Sequence, residues 1–162
     1  MFYVELVSEV FDASALAAKL PGTWSVVATN FPMWIDGTRQ NPEFTYELVA
    51  GEGLTLDDTV SFTTRDGETH TILGIDQLQG DEFVWRGLGW KRILTSRWQV
   101  VGADEAFNTI VLRFSRSRLT PAGIDILTRK DRGNPAVRST VAHATDQYGL
   151  TAEDFATLTW LS

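Results

Sequence analysis

The chain has 162 residues, no cysteine, two histidines and a formal net charge of −7. That length fits one domain, residues 1–162, that buries its own core without covalent staples. The missing cysteines exclude disulfides and thiolate chemistry, and two histidines, His70 and His143, leave too few for a multi-histidine metal site. The acidic balance excludes a general nucleic-acid binder, which needs surplus lysine and arginine. No stretch approaches the roughly 18 apolar residues of a membrane span. The opening Met1-Phe2-Tyr3-Val4-Glu5 has neither the basic nor the long apolar region of a secretory signal, so a cytoplasmic protein is expected.

In chain order, Asp12-Ala13-Ser14 followed by Ala15 to Leu20 reads as a short capped helix that stops at Pro21. Strand patterns then follow one another. Residues 22–30 form the first, and 43–49 the second, with Phe44, Tyr46 and Leu48 alternating against Thr45 and Glu47. Residues 59–64 and 68–75 flank Arg65-Asp66-Gly67, a hairpin signal of the Asp-Gly type. Residues 81–88, 95–101, 107–115 and 122–129 complete a set of eight. All connections are too short for parallel crossovers. The expected fold is therefore all-β: an eight-stranded antiparallel up-and-down barrel, a calyx over about residues 22–130. An open sandwich is the competing architecture. After Gly133-Asn134-Pro135 the pattern turns helical, at 136–148 and again from Thr151-Ala152-Glu153 to about 158. This C-terminal segment, about 135–160, is expected to pack on the outside of the barrel or on a partner, a second copy included.

Three segments carry a family resemblance beyond the start Leu20-Pro21-Gly22-Thr23-Trp24. They are Phe31-Pro32-Met33-Trp34, Ser96-Arg97-Trp98-Gln99-Val100 and Leu119-Thr120-Pro121-Ala122-Gly123-Ile124-Asp125-Ile126. With the eight strands and trailing helix, residues 20–130 resemble the lipocalins and the wider calycin superfamily, and more closely uncharacterised lipocalin-like proteins of fungi and bacteria. The resemblance implies an eight-stranded calyx that binds small apolar molecules, without a cofactor or a settled activity. The Thr-Asp-Tyr motif of typical lipocalins is absent, the corresponding stretch reading Gly102-Ala103-Asp104-Glu105-Ala106. The late arginine that packs on the first tryptophan in that family has Arg129 as its best-placed candidate. Neither His70 nor His143 stands where a haem barrel of the nitrobindin type would place its axial ligand.

In an up-and-down barrel successive loops alternate ends. With the helix and Trp24 marking the floor, the loops around 50–58, 76–82 and 102–106 lie on that side. They carry Glu52, Asp57, Asp58, Asp76, Asp81, Glu82, Asp104 and Glu105 with no cation among them. The mouth loops, around 31–42, 65–67, 89–94 and 116–121, carry Arg39, Arg65, Lys91, Arg92, Arg116 and Arg118 against Asp36 and Asp66. A basic rim draws anions by local field, so the expected ligand is a small amphipathic anion. The same rim holds the apolar Phe31–Trp34 stretch and Trp90, which need burial and could form a lid.

Strand alternation nominates the ligand-contacting residues: Trp34, Phe44, Tyr46, Trp85, Trp90, Trp98 and Arg113. Arg113 shares a face with Thr109 and Val111 on a strongly apolar strand and is expected to anchor an anion internally, with Asp125 as its inward partner. Core filling is the competing role for the aromatic residues. No nucleophile–base–orienter arrangement and no metal-ligand spacing is readable, so neither a metal nor a cofactor is expected. The expected function is binding of a small hydrophobic, anionic molecule in the calyx. The alternative is a cofactor-free cyclase or isomerase of natural-product biosynthesis that folds a polyene or polyketide into a reactive conformer, with Tyr46, His70 or Arg113 as its acid or hydrogen-bond donor. A filled barrel serving as an interaction protein is the third reading.

Overall fold

The computed structural model describes residues 11–89, 94–118 and 120–162. Helix α1 (Ala13–Lys19) begins where Asp12 accepts a hydrogen bond from the Ala15 amide at 2.7 Å, which satisfies one of the free amides of the first turn. Its buried residue Leu16, together with Leu20, faces the barrel floor, and Pro21 prevents continuation.

Eight strands follow: β1 (Gly22–Thr29), β2 (Gln40–Leu48), β3 (Thr55–Thr63), β4 (Thr69–Gln79), β5 (Glu82–Gly87), β6 (Thr95–Ala103), β7 (Thr109–Phe114) and β8 (Gly123–Arg129). Each pairs antiparallel with its neighbours in sequence, and β8 returns to β1, so the sheet closes into the expected barrel. Closure between β1 and β2 runs over Gly22–Ser25 against Glu43–Tyr46. Nearer the mouth β1 leaves β2, and Ala28 and Thr29 take a further short strand, β9 (Thr159–Trp160), as neighbour. Two elements are additions to the sequence reading: β9, and a one-turn helix α2 (Pro32–Ile35) within the Phe31–Trp34 stretch.

The floor is built on Trp24. Its indole nitrogen donates to the Leu20 carbonyl at 2.9 Å, and the Arg129 guanidinium lies 4.2 Å from the ring centroid. Arg129 also donates to the Pro21 and Lys19 carbonyls. One side chain thus ties the end of β8 to the end of α1, as the resemblance implied for Arg129. A Cβ on Gly22 would stand 2.7 Å from the same guanidinium, and Gly22 has φ +129°, so glycine serves there on both counts.

Burial falls into two clusters. The interior one runs from Leu16 and Trp24 up to Phe31 and Trp34. The second lies outside the barrel, where Val111, Ile124, Ile126 and Ala28 meet Val141, Tyr148, Leu150 and Trp160. The C-terminal segment, with α3 (Val137–His143) and α4 (Ala152–Ala156), therefore packs on the outer face of β1, β7 and β8. Thr151 caps α4 in a capping box whose reciprocal acid is Asp154 rather than a residue of the Thr151-Ala152-Glu153 start. No helix of the described residues is long and apolar enough to cross a membrane.

Candidate functional site

Inside the barrel, under α2, lies a cavity of about 350 Å³, at the lower end of the range that suits a small-molecule ligand. Strand alternation builds its walls. Phe44 and Tyr46 come from β2, Trp85 from β5 and Trp98 from β6, with Val60 and Ile72 on β3 and β4 between them. Tyr46 stacks on Trp98 at 5.4 Å between centroids, and Trp98 stacks on Phe83 at 4.4 Å, so three rings form a column across the lower barrel. A Cβ on Gly74 would come within 2.1 Å of the Trp85 indole nitrogen. The bare glycine backbone on β4 is what lets that ring lie across the wall.

The roof is the Phe31–Trp34 stretch. Pro32 starts α2 and the turn aims Phe31 and Trp34 down, where they are 2% and 5% exposed. Trp34 packs against Phe44 and Phe62 at 6.5 and 5.9 Å, and Phe31 meets Phe114 edge-on at 5.3 Å. Phe31, Met33 and Trp34 all border the cavity, and the Trp34 indole nitrogen is buried without a hydrogen-bond partner.

Of the residues nominated from the sequence, Trp34, Phe44, Tyr46, Trp85 and Trp98 meet in this one cavity. Trp90 lies outside the described residues. His70 is on the inward face of β4, opposite Phe62, but sits past Ile72 at the rim, about half exposed, stacked on the Phe62 ring and 3.8 Å from Glu68. It does not line the cavity. Leu48, the last residue of β2, lies opposite the buried Leu56 on the face of Phe44 and Tyr46 but is exposed at the strand's end.

Arg113 requires a correction. It points out of the barrel and donates to the Asp154 carboxylate at 2.8 Å, so it joins β7 to α4 rather than anchoring a ligand. Asp125 is not its partner, because Asp125 lies opposite Leu112 on the inward face while Arg113 lies opposite Ile124 on the outward one. The physical reason is that β7 is buried on both sides, by the cavity and by the C-terminal segment, so apolarity carries no information about which face is inside.

A second correction concerns the acids. Asp58 and Asp76 were sorted into floor loops, yet β3 begins at Thr55 and β4 runs to Gln79, which places both within strands and facing inward. Asp58, Asp76 and Asp125 are all buried. Asp76 accepts from the Trp98 indole nitrogen at 2.9 Å. Asp58 and Asp76 are neighbouring carboxyls, so ionising both is disfavoured. Burial pushes Asp58 up to about 6, and burial with the neighbouring Asp58 pushes Asp76 well above the usual carboxylate range. Burial likewise raises Asp125 to about 7, against a hydrogen bond from the Thr29 hydroxyl that favours its ionised form. The phenol of Tyr46 is raised by burial and then by the charges of Asp58, Asp76 and Asp125.

The rim is basic in part as expected. Arg39 borders the cavity with its guanidinium 5.4 Å from the Phe62 centroid, while Arg65 donates to the Gly37 and Asp36 carbonyls and so ties the two mouth loops together. Arg116 and Arg118 are exposed beside a shallow groove. Lys91 and Arg92 lie outside the described residues. No cluster of metal-ligating side chains occurs among the described residues.

A closed eight-stranded barrel with a roofed aromatic interior defines the lipocalin fold, and solved structures agree. Lobster apocrustacyanin A1 superposes with a TM-score of 0.60 at 11% identity, covering 93% of this chain and 84% of that one. The siderocalin Ex-FABP gives 0.60 at 13% identity, covering 88% and 93%. A biogenic amine-binding protein gives 0.58 at 14% identity, covering 92% and 80%. At such identities the likeness is one of fold. No protein-family model matches the chain, and no curated protein matches it in sequence.

Proposed function

We propose that this protein binds a small, largely apolar molecule inside the barrel, beneath the Phe31–Trp34 roof. The observation that carries this reading is the cavity itself: about 350 Å³ lined by Trp34, Phe44, Tyr46, Trp85 and Trp98. A barrel serving only as a structural core would be expected to close such a space, because interiors pack densely and an empty volume forfeits contacts. Ligand binding is also what the names of two structural relatives describe, one a siderocalin with dual ligand specificities and one a biogenic amine-binding protein.

The anionic head expected from the sequence loses its internal anchor, since Arg113 is engaged outside with Asp154. The cyclase or isomerase alternative keeps one of its nominees in the cavity, Tyr46, while His70 and Arg113 stand apart from it. Binding is the reading that the walls support.

Titration with N-phenyl-1-naphthylamine, an uncharged fluorescent probe, tests the proposal. A saturable emission increase with one site per chain is expected. A linear, non-saturating response up to the probe's solubility limit would contradict it.

A further inference from the structure

The cavity combines aromatic faces with buried acid. Asp58 and Asp125 both line it, 6% and 1% exposed, and one oxygen of each has no hydrogen-bond partner. A third orphan oxygen belongs to Asp76, the neighbour of Asp58. Buried carboxyls in a folded core normally face an arginine, a lysine or a set of amides, because an unpaired polar group costs about 1–3 kcal/mol. Among the described residues no ion pair joins any of the three to a cation.

From this geometry we propose that the site selects molecules carrying a protonated amine, with the ammonium against a buried wall carboxylate, that of Asp58 or of Asp125, and the apolar body among Trp34, Trp85 and Trp98. The inference rests on the binding reading above and names its ligand class. An ammonium supplies the donors that the orphan oxygens lack. It also gains from aromatic faces, by about 0.5–2 kcal/mol depending on desolvation. An anion meets the opposite situation, since it would be desolvated beside three acids. Arg39 does not reverse this, because its guanidinium lies over Phe62 towards the mouth.

The titratable and charged groups of the site besides Asp125 are Tyr46 on β2, Asp58 on β3 and Asp76 on β4, with the Thr29 hydroxyl of β1 on Asp125 and Arg39 at the rim. Those contributed to the interior by β5, β6 and β7, such as Trp85, Ser96 and Phe114, are uncharged. Among the described residues, then, the charge of these carboxyls is lowered by holding protons. An arriving ammonium replaces such a proton, so binding near neutral pH releases it to the buffer.

Calorimetric titration of the full chain with 4-phenylbutylamine, 4-phenylbutan-1-ol and 4-phenylbutyrate provides the test, because the three differ essentially in the charge of the head. At pH 8 the amine is expected to bind at least tenfold more tightly than the alcohol, and the butyrate more weakly than either. At pH 7 the amine's heat should differ between phosphate and Tris buffers by the enthalpy of the released proton, and the alcohol's should not. D125N or D58N should lose most of the amine's advantage while keeping the alcohol's affinity. Equal affinities for amine and alcohol, a preference for butyrate, or an advantage that survives in both variants would overturn the inference and leave the binding reading standing. If none of the three binds while N-phenyl-1-naphthylamine does, the amine class is likewise excluded. If no probe binds at all, both fall together.

Discussion

Asp125→Asn is expected to stabilise the protein at pH 8 and to change little near pH 4. The native state holds the Asp125 proton up to about pH 7, whereas in the unfolded chain the carboxyl titrates near its ordinary 3.8. Between those values the native state binds more protons than the unfolded one, so stability falls as pH rises. Each carboxyl in this situation contributes a slope of about −1.4 kcal/mol per pH unit. The cost is absent below the unfolded value, accumulates between about pH 4 and pH 7, and is fully present above it. An asparagine keeps an oxygen to accept from Thr29 and carries no charge to bury. Asp36, Asp66 and Asp154, whose carboxyls are held below the usual range by hydrogen bonds from Thr38, Thr64 and Arg113, act in the opposite sense, losing stability towards acid. The quantity to follow is therefore the difference between variant and wild type. Urea unfolding at pH 4, 6 and 8 measures it, and a difference that stays flat across that range would remove the buried, protonated Asp125 from the account.

Trp24→Ala should be the most damaging single substitution in the floor, lowering the unfolding free energy by about 3–5 kcal/mol. The indole is fully buried, donates to Leu20 and lies under Arg129. Its removal opens a void and takes away the ring on which the guanidinium rests. Arg129→Lys is expected to be milder but still destabilising, because a lysine cannot reach the Pro21 and Lys19 carbonyls with one planar group. Denaturant midpoints of the two variants measure both effects. A Trp24→Ala loss below about 1 kcal/mol would show that the floor does not depend on this stack.

The barrel was legible in the sequence because half-buried strands announce themselves by alternation. Phe44 and Tyr46 against Thr45 and Glu47 specify which side of β2 faces the cavity, and the structure agrees. The Asp66-Gly67 turn was equally plain, since Gly67 takes φ +85° there. The site was half legible. Its aromatic walls followed from the same alternation, but its acids did not. Asp58 and Asp76 lie near the floor ends of long strands, where a carboxylate is ordinarily a loop residue, and only the observed ends of β3 and β4 bring them inside. Arg113 was misplaced for the complementary reason, because a strand covered on both faces carries no alternation to read. The C-terminal strand β9 is two residues long and joins β1 across more than a hundred residues of sequence, which leaves no local pattern to detect.

Val60 borders the cavity on β3 and is packed against the interior cluster. Val60→Trp should fill much of the space without disturbing the sheet. The decisive measurement is the affinity of N-phenyl-1-naphthylamine for wild type and for this variant, with the far-ultraviolet circular dichroism of both recorded alongside. A ligand held within the barrel predicts saturable binding to wild type and at least tenfold weaker binding to Val60→Trp at unchanged secondary structure. Equal binding to the two would place the probe elsewhere on the molecule and contradict the cavity as the binding site.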